Sequence, residues 1–236
     1  VPQKKMPKRS PTKKIPDNAI YNLHEFSISV ENREIFLTSN LNDCVDDAMI
    51  DHYTAATFIK NLQLLNSINS QPIIVHQITC GGEWNYGMAI YDAIKVSCND
   101  INTSNIVLLA YAHARSMSSI IPQAATKRII TSNADFLIHW GTNLIEGNYT
   151  SVQAEAEWSK RSSSTMLDVY VERCQYGEYW VERKMSPEKI KSWLRNKMDK
   201  KQEFYMTPQE AVEKGFMDGI LGDEGFENIE QLRKEI

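Results

Sequence analysis

Ser116 stands in the run Tyr111-Ala112-His113-Ala114-Arg115-Ser116-Met117-Ser118-Ser119-Ile120, directly after the apolar stretch Ile106 to Ala110. A strand that stops at a small-residue turn and becomes a helix lifts one side chain into the open. A hydroxyl placed in that way can attack a carbonyl, although the G-x-S-x-G string of the nucleophile elbow is absent. Such a hydroxyl needs a base within about 2.6–3.2 Å. His139, closing the apolar run Phe136-Leu137-Ile138, is the candidate, because the ends of parallel strands converge on one rim of a sheet. His113 is the weaker candidate. A third group, a carboxylate, has to fix the imidazole tautomer; Asp135, Asp168, Asp199 and Asp218 all remain open, and spacing does not choose between them. Gly81-Gly82 follows an apolar run and can hold backbone N–H groups close to a reacting carbonyl. With the N–H of Met117 it would complete a two-donor oxyanion hole. Each residue also has a plainer reading: tight helix packing for the serines, a satisfied strand-end histidine, a simple glycine turn.

Other chemistries find little support. Gly81-Gly82 fits neither G-x-G-x-x-G nor G-x-x-x-x-G-K-[ST], which argues against nucleotide binding. His24, His52, His76 and His113 show no metal-ligand spacing with the cysteines or carboxylates, so neither a metal nor another cofactor is expected. Cys44, Cys80, Cys98 and Cys174 form no CxxC pair and no disulfide framework; free thiols in a reducing, cytoplasmic setting are expected.

The elements that must position these groups follow from periodicity. Ile35-Phe36-Leu37-Thr38 reads as a strand ending at Ser39-Asn40. A helix is expected from about Asp43 to Leu65, with Met49, Tyr53, Ala56, Ile59 and Leu62 as its buried face. Ile73 to Ile78 is continuously apolar, as strands covered on both faces are. A helix over 86–96, strands at 106–111, 127–130 and 136–139, and a helix opening near Ser116 complete a strand–helix rhythm. It argues for an α/β fold with right-handed crossovers, doubly wound on this reading alone. Thr150-Ser151-Val152-Gln153 has capping-box spacing and opens a long polar helix to about Cys174. With few large apolar side chains, that helix reads as an arm that packs against a neighbour rather than in the core. Ser186-Pro187 and Thr207-Pro208-Gln209-Glu210 mark further helix starts, and Gly215 a stop.

The 236 residues are enough for one substantial core, with 42% apolar and 24% charged residues. A net charge of −4 gives no reason to expect nucleic acid as a partner, and no run of about 18 apolar residues suggests a membrane span. Residues 1–20 are different: Lys4, Lys5, Lys8, Arg9, Lys13 and Lys14 alternate with prolines, and a basic, disordered arm is expected there.

Taken together, several segments resemble the proteolytic subunit of the Clp protease, the ClpP-like serine peptidases. They are Ile35-Phe36-Leu37-Thr38, Gly81-Gly82, Gly87 to Asp92, Ala114-Arg115-Ser116-Met117, Ile138-His139 and Tyr205 to Ile220, in the right order over about 33–222. The resemblance implies Ser116 as nucleophile, His139 as general base and Asp199 as the carboxylate, with Gly82 and Met117 giving the oxyanion hole from the backbone. It also implies a crotonase-like spiral of β-β-α units over 21–236, with a projecting handle at about 142–198. Heptameric rings that pair into a tetradecamer, polypeptide substrates and an AAA+ unfoldase partner follow by the same resemblance. The sequence departs from the family pattern at four places. Trp140-Gly141 replaces Gln-Pro after the histidine, and Thr79-Cys80 replaces Ser-Pro before the glycines. Met198 replaces an arginine before the aspartate, and the basic arm replaces the N-terminal axial segment. Such divergence would suit a viral or otherwise specialised relative. The competing readings are an inactive or scaffolding ring subunit and a crotonase-like enzyme acting on acyl-CoA.

Overall fold

A computed structural model describes residues 18–38, 49–100, 102–142 and 144–234. The expected disordered arm lies, but for residues 18–20, outside the described residues; so do the first residues of the helix expected from Asp43. In chain order the elements are α1 (Ala19–Phe26), β1 (Ile28–Ser29), β2 (Glu34–Thr38), β3 (Met49–Ile50), α2 (His52–Ile68), β4 (Ile73–Ile78), β5 (Gly81–Gly82) and α3 (Trp84–Asn99). They continue with β6 (Ile106–Ala110), β7 (His113–Arg115), α4 (Met117–Ile120), a 3-10 turn (Ile121–Ala124), β8 (Lys127–Thr131), β9 (Asp135–His139) and α5 (Tyr149–Cys174). The last are α6 (Glu178–Glu182), α7 (Pro187–Lys201), β10 (Glu203–Met206), α8 (Pro208–Glu213), β11 (Gly219–Leu221) and α9 (Ile229–Leu232).

The larger sheet has the order β1-β2-β4-β6-β8-β11, parallel except for the β1–β2 pair. Strand numbers rise steadily across it with no reversal, so the doubly wound reading is wrong: that topology needs a switch point where the order turns back. A second sheet, β10-β9-β7, and the short pair β3-β5 take the intervening strands. β4 and β6 alternate their side chains between two apolar layers. Ile73, Val75, Ile106 and Leu108 face the main core beneath the helices, while Ile74, Val107 and Leu109 meet Leu232 of α9 on the other side. Coverage on both faces explains their continuous apolar sequence.

Two helix assignments need correction. α2 begins at His52, capped by the Asp51 carboxylate accepting from the Thr54 N–H at 2.8 Å, because Met49–Ile50 are taken by β3. Its buried face is Ala55, Phe58, Leu62 and Leu65, whereas Met49 and Tyr53 are exposed; the expected stripe lay a fraction of a turn away. α5 is capped by Asn148, whose side chain accepts from the Ser151 N–H at 3.0 Å, and not by Thr150. Only the first half of α5 is polar and mostly exposed. Met166, Leu167, Tyr170, Val171 and Cys174 are buried in the main core, with Trp180, Ile190, Leu194 and Met198 from the elements that follow. Large apolar side chains buried to that extent contribute roughly 1.5–3 kcal/mol each, so this part of the chain helps hold the fold together. The cap at Ser186 and the full capping box at Thr207–Glu210 are as the sequence indicates. Among the described residues no helix is long and apolar enough to cross a membrane.

Candidate active site

Ser116 sits at a strained corner. After β6 the chain leaves the large sheet through Ala112 (φ +54°), adds β7 to the second sheet, and turns again at Ser116 (φ 52°, ψ −129°) into α4. The serine therefore follows a second, three-residue strand that the sequence reading missed, not the long strand itself. A non-glycine residue at such angles costs on the order of 1–3 kcal/mol, and the surroundings have to hold it. The Ser116 N–H donates to the Leu137 carbonyl at 3.3 Å. The Ser116 carbonyl accepts from the Ser119 N–H at 2.9 Å and from the Ser119 hydroxyl at 2.7 Å. That hydroxyl also meets the fully buried Tyr170 phenol at 2.6 Å. Burial pushes the phenol above its ordinary pKa, so it stays protonated. Gln77 from β4 donates to the Ser118 carbonyl at 2.8 Å. The corner is thus tied to α5 and to the large sheet at once.

The glycine pair packs against this corner. A Cβ on Gly81 would lie 2.6 Å from the Ser116 Cβ and 3.1 Å from the Met117 nitrogen. Gly82 pairs with Ile50 in the parallel β3–β5 ladder, and the Ile50 carbonyl accepts from the Glu83 N–H at 2.9 Å. In that register the Gly82 N–H points away from β3. Met117 contributes the first N–H of α4, one of the donors that a helix start leaves without an intrahelical acceptor.

His139 ends β9, the neighbour of β7. The parallel register pairs Arg115 with Leu137, which brings Ser116 alongside Ile138 and His139. On its other side β9 pairs with β10, placing Glu203 directly opposite His139. The imidazole pKa is lowered by burial, with the Glu203 carboxylate acting in the opposite sense. Its Nε2 is buried and, among the described residues, has no hydrogen-bond partner. Among the described residues, no hydrogen bond joins the imidazole to Ser116 or Asp199.

The four carboxylates differ in their company. Asp135 is held by the Arg115 guanidinium, Asp168 by Lys191 at 2.5 Å, and Asp218 by the backbone N–H and side chain of Arg128. Asp199, in the last turn of α7 four residues before Glu203, instead accepts from the Trp140 indole N–H at 2.9 Å. Trp140, which the sequence marks only as a departure from the family pattern after His139, and Glu203, which it does not mark, are neighbours of the candidate base. Glu203 depends on β10, which periodicity does not reveal. His113 lies at the start of β7, opposite Asp135 and a strand's length from the corner. Among the described residues no three His, Cys, Asp or Glu side chains converge as a metal site would need.

A serine on a strained strand-to-helix turn, a histidine ending the neighbouring strand and a glycine pair against the turn lie together in a mixed α/β fold. The Clp protease family model matches residues 21–224, and the chain belongs to that family. Similar proteins include the ATP-dependent Clp protease proteolytic subunit of Deinococcus radiodurans, 27% identical over 182 residues, covering 76% of this chain and 79% of the relative. Proteolytic subunit 1 of Protochlamydia amoebophila is 25% identical over 230 residues, 95% of this chain and 96% of the relative. Proteolytic subunit 2 of Pseudomonas aeruginosa is 24% identical over 204 residues, 86% of each.

Proposed function

We propose that this protein is a serine endopeptidase that hydrolyses peptide bonds in unfolded polypeptides. Ser116 Oγ attacks the scissile carbonyl while His139 takes its proton. The tetrahedral oxyanion is received by the N–H groups of Gly82 and Met117. His139 then protonates the leaving amine, and water, deprotonated by the same imidazole, releases the acyl-enzyme. Asp199 fixes the tautomer and stabilises the imidazolium. The observation that carries this reading is the strained Ser116 corner, tied to the His139 strand through Leu137 and pressed by Gly81. Strain of this kind is kept where the surrounding structure has a use for it. Among the described residues, Asp199 is also the one of the four candidate carboxylates that no ion pair neutralises, consistent with a role beside the imidazole.

In this reading residues 21–236 form a ClpP/crotonase-like spiral. The recurring order strand, strand, helix (β4-β5-α3, β6-β7-α4, β8-β9-α5) supports it. The region 142–198 supplies the handle, and the exposed first half of α5, with Tyr149 and Trp158, is the surface through which heptameric rings pair into a tetradecamer. Enclosure in a chamber protects folded proteins, and an AAA+ unfoldase would supply unfolded chains. The basic arm at 1–20 lies outside the peptidase domain, and the assembly works in the cytoplasm. The test is cleavage of unfolded casein and short fluorogenic peptides by the assembled protein. Ser116→Ala should abolish cleavage and leave the sedimentation coefficient unchanged; equal cleavage by that variant would reject Ser116 as nucleophile.

A further inference from the structure

The contact between Trp140 and Asp199 has no counterpart in a serine–histidine–aspartate relay, where the carboxylate binds the imidazole. Here the indole N–H donates to Asp199 Oδ1 at 2.9 Å across 59 positions of sequence, and among the described residues no hydrogen bond joins the adjacent imidazole to Asp199. Trp140 follows the last residue of β9, so a carboxylate bound to its indole is engaged beside His139 but not by the imidazole. The indole is itself fixed, packed against the main core, while Asp199 is exposed in the last turn of α7 and has room to move. The other groups facing the imidazole are Glu203 across the β9–β10 pair and Ser116 beside β9.

We propose that Trp140 is a positioning residue that controls the carboxylate: its indole N–H holds Asp199 off His139, and the site becomes competent when Asp199 leaves the indole for the imidazole. This rests on the reading of Ser116, His139 and Asp199 as the catalytic set. No bond is made or broken covalently; one hydrogen bond is exchanged for another, Trp140 N–H···Asp199 for His139 N–H···Asp199.

Trp140→Phe keeps an aromatic ring and removes the donor. Two readouts on the assembled protein test the idea. The first is the rate of Ser116 phosphonylation by a fluorophosphonate across pH, and the second is the pH dependence of His139 modification by diethyl pyrocarbonate, read by mass spectrometry. Trp140→Phe should raise the phosphonylation rate roughly tenfold, the size of one charge-assisted hydrogen bond. It should also move the His139 midpoint to higher pH, since a carboxylate now favours the imidazolium. Both changes should vanish in an Asp199→Asn background. An unchanged rate and midpoint, or changes that persist in Asp199→Asn, overturn the proposal. If Ser116 is never phosphonylated, the peptidase reading falls, and the His139 midpoint still decides whether Trp140 withholds Asp199.

Discussion

Replacing Gly81 with alanine probes the Ser116 corner without removing a reacting group. The added Cβ would sit 2.6 Å from the Ser116 Cβ, 3.0 Å from the Arg115 carbonyl oxygen and 3.1 Å from the Met117 nitrogen, at a φ of +116°. Carbons pack at about 3.5–4.0 Å, so relief requires a displacement of roughly 1 Å. The obstacles include backbone of the corner itself, which has no flexible end to swing aside. The positive φ adds about 1–3 kcal/mol. Domains of this size are stable by about 5–15 kcal/mol, so the fold should survive with a Tm lowered by roughly 2–12 °C. Displacing the serine and the Met117 N–H by about 1 Å should lower kcat/KM for a short fluorogenic peptide by on the order of 10²-fold. Gly87→Ala is the comparator. Its Cβ would meet only the Met117 side chain, 2.3 Å from Cε, 2.9 Å from Cγ and 3.2 Å from Cβ, and a flexible side chain gives way more easily than backbone, so activity should fall less. Gly81→Ala with near-normal kcat/KM at a lowered Tm would refute the claim that this contact positions the nucleophile.

Three further outcomes are expected. Burial lowers the His139 pKa, so the acid limb of the peptidase pH profile should have its midpoint below the ordinary histidine value of about 6.5. Because the folded-state pKa is the depressed one, the stability from neutral His139 is present above about pH 6.5 and is lost as pH falls through that lower value. Glu203 acts in the opposite sense, so Glu203→Gln should move the limb to still lower pH; movement to higher pH would contradict the pairing of Glu203 with His139. Burial pushes the Cys174 thiol up to about 12, so iodoacetamide at pH 8 should leave Cys174 unmodified in the native protein while Cys80 and Cys98 react. Early alkylation of Cys174, read by peptide mapping, would deny that the second half of α5 is core. Asp199→Asn should lower kcat by several orders of magnitude, on the order of 10⁴-fold in the chymotrypsin-type case, with the particle intact. A loss below about threefold would reject Asp199 as the orienting carboxylate.

The long apolar strands and proline-marked helix starts were readable because their signals are local. β4 and β6 are apolar on both faces, and Ser186-Pro187 and Thr207 to Glu210 carry their own caps. β3, β5 and β7 are two or three residues long and owe their existence to partners far away in the chain, so no periodicity marks them. Missing β3 put the start of α2 too early and its buried stripe on the wrong residues. The polar first half of α5 masked the apolar second half when the helix was averaged as one piece. At the site, Ser116 and His139 were visible as a small-residue turn and a strand end. Asp199 rested on resemblance, because a helix-end aspartate has no pattern of its own. Trp140 stood out as a departure after His139, but its bond to Asp199 and the place of Glu203 opposite His139 became visible only through a tertiary hydrogen bond and an antiparallel register.

The claim that this chain is a serine peptidase is tested most directly by treating the assembled protein with a biotinylated fluorophosphonate and mapping the adduct by tandem mass spectrometry. The account predicts one adduct, on Ser116, absent from Ser116→Ala and strongly reduced in His139→Ala. An adduct on a different serine, or none on a particle that also leaves unfolded casein uncut, would contradict it.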